Sequence, residues 1–88
     1  MAISVVLAED SVLVREGMRA VLNGADDIEV AAACVDGAEL RRAIIEHTPD
    51  VVVTDIRMPP GLSDEGIQIA QELRRDHPQV GVVVVSSA

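Results

Sequence analysis

Three acidic residues stand where short apolar runs of the sequence end. Glu9 and Asp10 directly follow the run Ile3 to Ala8, and Asp55 directly follows Val51 to Thr54. Apolar runs of this length predict buried strands. If both strands lie in one open parallel sheet, the three carboxylates meet at its carboxyl edge, where such sheets bind ligands. Carboxylates that close repel each other unless a cation intervenes, and hard oxygen ligands suit Mg²⁺.

The chemistry that this cluster suits is phosphoryl transfer to a carboxylate. An aspartate can act as a nucleophile toward phosphorus and form an acyl phosphate, while Mg²⁺ neutralises charge on the transferred group. A purely structural interpretation competes with this one. Glu9 alone is more often a solvated loop acid, and Asp10 or Ser11 could cap the following helix. For Asp55 the structural interpretation is weak, because no helix begins there, so the three acids together are the specific signal.

Apolar runs and helical patterns alternate along the chain that must position these acids. Residues 12–22 carry an apolar stripe at helical spacing, and residues 28–34 predict a second strand. Asp36 and Glu39 form a capping-box pattern that opens a second helix, which Thr48 before Pro49 ends.

The second half of the chain continues the alternation. Turn residues predict a loop over 58–63, a third helix follows and closes at Pro78, and residues 80–85 predict a fourth strand. Strands that alternate with helices predict an α/β fold with a parallel sheet covered on both faces. Right-handed crossovers make it an open doubly wound sheet, for which we expect the flavodoxin-like strand order 2-1-3-4.

Composition excludes several classes of function. The chain has 88 residues, a net charge of −8, no aromatic residue, and no lysine among its seven basic residues. It therefore offers no stacking platform for bases and no basic face, and we expect this segment to bind neither nucleic acid nor a membrane. No apolar stretch reaches the length of a membrane span. The single cysteine, Cys34, cannot form an internal disulfide and fits a reducing cytoplasm.

The motifs together resemble a known family. Val5–Ser11 (VVLAEDS), Asp50–Pro59 (DVVVTDIRMP) and Val82–Ser86 (VVVVS) look like the receiver domain of two-component response regulators (CheY-like). Leu13–Leu22 (LVREGMRAVL) resembles the NarL/LuxR type of transcriptional regulator. The resemblance covers the whole chain, and the acid pair, the DIRMP motif and the strand-end hydroxyl occur in the family's order.

This resemblance implies a role for each site residue. Asp55 would be the phosphoacceptor, Asp10 and Asp55 would bind Mg²⁺ directly, and Glu9 would bind it through a water. The backbone carbonyl of Arg57 would complete the protein ligands. At the end of the fourth strand, Ser86 would hydrogen-bond a phosphoryl oxygen.

Two further expectations concern the neighbourhood of this site. Ser87 is the rival of Ser86 by one register step, and Pro59 would shape the loop beside Asp55. The segment 59–66 is longer than the common form of this loop in the family, so the third helix could begin later than usual.

The resemblance also implies partners and domain organisation. The phosphodonor would be a sensor histidine kinase, and the domain would be a phosphoacceptor rather than an enzyme. We expect residues 1–88 to be the front part of a receiver domain, with the fifth strand, its lysine and aromatic residue, and the last helices beyond Ala88. DNA would be bound by a C-terminal domain outside this segment. An uncovered fourth strand predicts a homodimer or a strand-exchanged oligomer.

Other functions are less consistent with the sequence. A haloacid-dehalogenase-like phosphatase needs Asp-x-Asp after the nucleophilic strand and a lysine, whereas Asp55 is followed by Ile56 and Arg57. A flavodoxin-like electron carrier needs a phosphate loop in place of Glu9 and Asp10. A pseudo-receiver that binds partners without phosphorylation usually loses one of the acids, and this chain keeps all three. His47, His77 and Cys34 are interpreted as structural residues.

Overall fold

Strands and helices alternate along the whole described part of the chain. The structure, a computed structural model, describes residues 2–56 and 65–85. The strands are β1 (Ile3–Ala8), β2 (Ile28–Cys34), β3 (Val51–Asp55) and β4 (Gly81–Val85), and the helices are α1 (Val12–Asn23), α2 (Gly37–His47) and α3 (Glu65–Asp76). Each agrees with its prediction from the sequence to within a residue or two.

The four strands form one parallel sheet in the order β2-β1-β3-β4. This confirms the predicted α/β class and the flavodoxin-like order. β1 is central and pairs with β2 on one side and β3 on the other. The register with β2 shifts between Val5 and Val6, an irregularity that the apolar pattern does not reveal. Because β1 and β3 are neighbours, the residues that follow them lie at one edge of the sheet.

The hydrophobic core lies between the sheet and two of the helices. α2 contributes Leu40, Ala43 and Ile44, and α3 contributes Ile69 and Leu73. From the sheet, the cluster takes Val6, Ala8, Cys34 and Val52. His47 lies seven residues after Leu40 and so on the same face of α2, but it is exposed. It is the last residue of α2.

Polar side chains cap the first two helices. Ser11 caps α1, and its hydroxyl accepts a hydrogen bond from the N–H of Val14 at 3.4 Å. Asp36 caps α2 and accepts from the N–H of Glu39 at 2.8 Å. The Glu39 carboxylate in turn accepts from the N–H of Val35 at 3.0 Å, one residue before the position expected in a capping box.

α1 differs from the other helices, because none of its residues is buried. The predicted apolar stripe exists, but it lines an open groove of about 700 Å³ together with the sheet. The groove is lined by Val14, Gly17, Met18, Val21 and Leu22 of α1 and by Val53 and Val83 of the sheet. No helix among residues 2–56 and 65–85 is long and apolar enough to cross a membrane.

Candidate functional site

The carboxylates of Glu9, Asp10 and Asp55 come together at the carboxyl edge of the sheet. Ala8, the last residue of β1, pairs with Thr54 of β3. Glu9 and Asp55 each follow this pair by one residue, and Asp10 follows it by two. One oxygen from each of the three carboxylates lies within 4.8 Å of the others. Glu9 is 1% exposed and Asp55 is 4% exposed, whereas Asp10 is exposed. The cluster therefore has a buried base and one open side.

Hydrogen bonds with backbone groups and with the Arg15 side chain hold Glu9 in place. One carboxylate oxygen, Oε2, accepts a hydrogen bond from the N–H of Ser11 at 2.9 Å. Its backbone N–H donates to the carbonyl of Cys34, and its carbonyl accepts from the guanidinium of Arg15 at 2.9 Å. The interpretation of Glu9 as a solvated loop acid is thus wrong. The hydrogen bond from Arg15 was not foreseen, because a basic residue in a first helical turn usually indicates only a solvated face.

The environment of Glu9 disfavours its charged form. Burial raises the pKa of this carboxyl, and the neighbouring carboxyl groups of Asp10 and Asp55 raise it further. Only the hydrogen bond from Ser11 acts in the opposite direction. The second carboxylate oxygen, Oε1, is buried and has no hydrogen-bond partner among the described residues. A buried polar atom in this state is costly unless something else binds it.

Ser11, not Asp10, caps α1. The two residues were equal candidates from the sequence, and Ser11 makes the capping hydrogen bond. The Asp10 carboxylate therefore lies at the open side of the cluster instead of over the helix end. This leaves Asp10 in a position from which it could bind an ion together with Asp55.

β4 and α3 both contact the backbone of Asp55. It is the last residue of β3 and pairs with Val85 of β4, and the next N–H, that of Ile56, donates to the Val85 carbonyl at 3.0 Å. The Asp55 carbonyl accepts from the hydroxyl of Thr54 at 3.0 Å. The same carbonyl lies so close to Gly66 of α3 that a Cβ there would overlap it. Gly66 is thus required for the close approach of α3 to this strand end.

The donor set fits a magnesium ion. Three carboxylates supply hard oxygen ligands, two of them at the buried base. A bound cation would give the unpartnered Glu9 Oε1 a ligand and would relieve the burial and repulsion that raise the pKa of Glu9. Within the described residues, Glu9, Asp10 and Asp55 are therefore suited to hold the ion.

Other predicted site residues lie outside the described part of the chain. These are Arg57, Pro59, Ser86 and Ser87, together with the loop over 58–63. Cys34 is buried in the core cluster, and burial raises the pKa of its thiol to about 11. A thiol with so high a pKa is a poor nucleophile at neutral pH, in agreement with the structural interpretation of this residue.

Comparison with known proteins agrees with the resemblance that the sequence motifs indicated. The family profile of the response regulator receiver domain matches residues 5–88. This decides the family. The chain belongs to the response regulator receiver domains.

Individual relatives place the chain near the NarL/LuxR type of receiver. It is 33% identical over 82 residues to the oxygen regulatory protein NreC of Staphylococcus epidermidis, covering 93% of this chain and 37% of that protein. The receiver domain of the putative response regulator NarL from Mycobacterium tuberculosis superposes with a TM-score of 0.87 at 32% identity, over 99% of this chain and 68% of that one. A LuxR-family DNA-binding response regulator from Staphylococcus aureus gives a TM-score of 0.86 at 29% identity, over 98% and 69%.

The chain spans 37% of the length of the NreC proteins that it matches. The receiver fold is common to this chain and to the receiver structures that it matches. The activities of whole response regulators involve more sequence than these 88 residues.

Proposed function

We propose that this receiver domain accepts a phosphoryl group on Asp55 in a magnesium-dependent reaction. The observation that carries the proposal is the convergence of three carboxylates within 4.8 Å, with a buried Glu9 oxygen that has no partner among the described residues. In the reaction, a carboxylate oxygen of Asp55 attacks the phosphorus of a phosphohistidine. The phosphorus–nitrogen bond breaks, the histidine nitrogen keeps its electron pair, and an acyl phosphate forms on Asp55.

Each site residue has a part in this proposal. Asp10 and Asp55 would hold Mg²⁺ directly, Glu9 would hold it through a water, and the Arg57 carbonyl would complete the set. The ion supplies charge neutralisation to the transferred group when bound. The hydroxyl of Ser86 would hydrogen-bond a phosphoryl oxygen, and Pro59 would shape the loop beside the acceptor.

The partners belong to the proposal as well. A sensor histidine kinase in the cytoplasm is the phosphodonor, and the domain serves as a phosphoacceptor without substrate turnover. The kinship with a DNA-binding response regulator of the LuxR family supports control of a DNA-binding output domain encoded in the same polypeptide. Self-association through β4 is the expected contact between copies.

Phosphorylation with a small-molecule donor tests the proposal. The full-length protein is incubated with acetyl phosphate and Mg²⁺, and intact-mass spectrometry counts the phosphoryl groups gained. We expect one group on the wild type, none on Asp55→Asn, and one on Asp26→Asn, in which the same change is made at an exposed acid. Loss of labelling on removal of Mg²⁺, and in Asp10→Ala, is also expected.

The outcomes separate this function from its main rival. Labelling that persists undiminished in Asp55→Asn would place the acceptor elsewhere. A wild type that stays unlabelled by acetyl phosphate and by kinases, yet retains the fold, would instead identify a pseudo-receiver that acts without phosphorylation.

A further inference from the structure

Arg41 of α2 contacts two glutamates of α3, Glu65 and Glu72. The guanidinium of Arg41 donates to Glu72 through Nε at 3.2 Å and through Nη2 at 2.9 Å, a paired contact with both carboxylate oxygens. Its third nitrogen, Nη1, lies 3.4 Å from Oε1 of Glu65. Glu65 and Glu72 are seven residues apart, so they lie on one face of α3, two turns from each other.

The two contacts hold different parts of α3. Glu72 lies in the second half of the helix, and its side chain is 40% exposed. The hydrogen bonds from Arg41 lower the pKa of Glu72, as expected of a firm ion pair. Glu65 is the first residue of α3 and is only 20% exposed. The Glu72 contact therefore joins the bodies of two helices, whereas the Glu65 contact holds the beginning of one.

The Glu65 carboxylate rests on Gly37, the first residue of α2. A Cβ at Gly37 would overlap the Glu65 carboxylate. Gly37 and Arg41 are four residues apart and so lie on the same face of α2. Glu65 is thus held from two sides, by the guanidinium of Arg41 and by the bare backbone of Gly37.

The next residue of α3 touches the backbone of the phosphoacceptor. The N–H of Gly66 donates to the carbonyl of Ile56 at 2.9 Å, and its Cα lies against the carbonyl of Asp55. A displacement of the first turn of α3 therefore acts directly on the strand end that carries Asp55. The contacts from Arg41 through Glu65 and Gly66 to Asp55 are continuous.

We propose that Arg41 and Glu65 are positioning residues for the acidic site, holding the first turn of α3 in register with Asp55 so that the site binds Mg²⁺ and accepts phosphate at full rate. This inference rests on the proposed function, since it concerns how well the same site works. The contact between Arg41 and Glu72 has a different role in this proposal: it stabilises the packing of α2 on α3.

The expected effects are modest, because the ion pairs are partly exposed and screened by solvent. Loss of such a pair typically changes an equilibrium by about two- to fivefold. We expect Glu65→Gln to weaken Mg²⁺ binding and slow phosphorylation of Asp55 by acetyl phosphate by about this factor. Glu72→Gln should instead lower the urea midpoint and leave Mg²⁺ affinity and rate unchanged for the folded protein.

Two further variants separate geometry from charge in the same experiment. Gly37→Ala displaces the Glu65 carboxylate without altering any charge, and it should reproduce the Glu65→Gln effect on the site. Arg42→Gln removes a charge from the exposed neighbouring position and should change neither property. Mg²⁺ affinity in the full-length protein is measured by calorimetry and phosphorylation by mass spectrometry.

The results distinguish this inference from the function on which it rests. Variants Glu65→Gln and Gly37→Ala with wild-type affinity and rate, in a protein that is labelled on Asp55, would overturn the positioning role alone. Impairment of the site by Glu72→Gln to the same extent as by Glu65→Gln would also overturn that role. A wild type that binds no Mg²⁺ and gains no phosphoryl group would overturn both proposals together.

Discussion

Within the described residues, Glu9 carries a buried side-chain oxygen that has no hydrogen-bond partner. A buried oxygen without a hydrogen-bond partner costs about 1–3 kcal/mol, and Glu9 Oε1 is in that state within the described structure. Ser11 and Arg15 fix the residue so that it cannot turn toward solvent. If the site binds Mg²⁺ as proposed, the ion would offset this cost.

The pH dependence of stability should reveal this cost. The folded pKa of Glu9 is raised above its unfolded value of 4.5, so its contribution to stability is fully present below pH 4.5 and is lost as the pH rises through the folded pKa. In metal-free urea unfolding, we expect Glu9→Gln to be more stable than the wild type at pH 7 and similar to it near pH 4. Between the two pKa values the gap grows by about 1.4 kcal/mol per pH unit.

Exposed Glu46 offers a matched control, because Glu46→Gln makes the same change outside the site. Its stability should follow that of the wild type at every pH. Saturating Mg²⁺ should close the gap between the wild type and Glu9→Gln at pH 7. A metal-free Glu9→Gln that is less stable than the wild type at pH 7 would contradict this account.

At this scale the sequence predicted which residues meet but not how each is held. The positions of Glu9, Asp10 and Asp55 after strands were sufficient to predict their convergence. The burial of Glu9 was not predictable, because it depends on contacts with Arg15 and on the pairing of Glu9 with Cys34. Such contacts arise only after the helix and the neighbouring strand have been placed.

Among the elements, α2 illustrates how local signals fix a helix at both ends. Asp36 accepts from the N–H of Glu39, and Thr48 ends the helix in the left-handed region with φ of 41°. The start matters for the site, because Gly37 and Arg41 contact Glu65 from this helix. The capping pattern and Pro49 were enough to predict these boundaries from the sequence.

The two helix caps should differ in strength. The Asp36 hydrogen bond measures 2.8 Å, whereas the Ser11 hydrogen bond measures 3.4 Å, near the limit for such a contact. We therefore expect Asp36→Ala to lower the free energy of unfolding by about 1 kcal/mol, and Ser11→Ala by less. Urea unfolding followed by circular dichroism measures both. Asp36→Asn retains the acceptor oxygen and should stay near the wild type, so equal losses in Asp36→Ala and Asp36→Asn would be inconsistent with a capping role.

For the whole molecule, the alternation of strands and helices was sufficient to predict the topology. Parallel strands need crossovers, and right-handed crossovers leave few possible orders. What the pattern did not reveal was the uneven coverage of the sheet. α2 and α3 bury one face, while the α1 stripe borders a groove that stays open within the described residues. An apolar stripe indicates which side of a helix faces inward, but not whether a second surface closes over it.

The open groove and β4 should make the 88-residue chain self-associate. β4 is an edge strand of the sheet, and Val83 and Val84 are 49% and 38% exposed. Unpaired apolar edges are templates for pairing with another chain. Apolar area that stays in contact with water also costs about 25 cal/mol per Å² relative to burial. We expect size-exclusion chromatography with light scattering to show a dimer or larger species at high micromolar concentration.

Salt and a charged substitution should tune this association in opposite directions. Each copy carries a net charge of −8, so repulsion between copies opposes pairing, and salt should strengthen the dimer by screening it. Val83→Lys places a charge in the groove and on the edge strand, and this variant should be monomeric. Ile45→Lys makes a comparable change at a site on α2 that is 74% exposed and should leave the dimer intact. A wild-type chain that folds cooperatively and remains monomeric in high salt would contradict this prediction. The attraction between the exposed apolar surfaces of two copies would then be too weak to hold them together, and β4 and the groove would be stable in water.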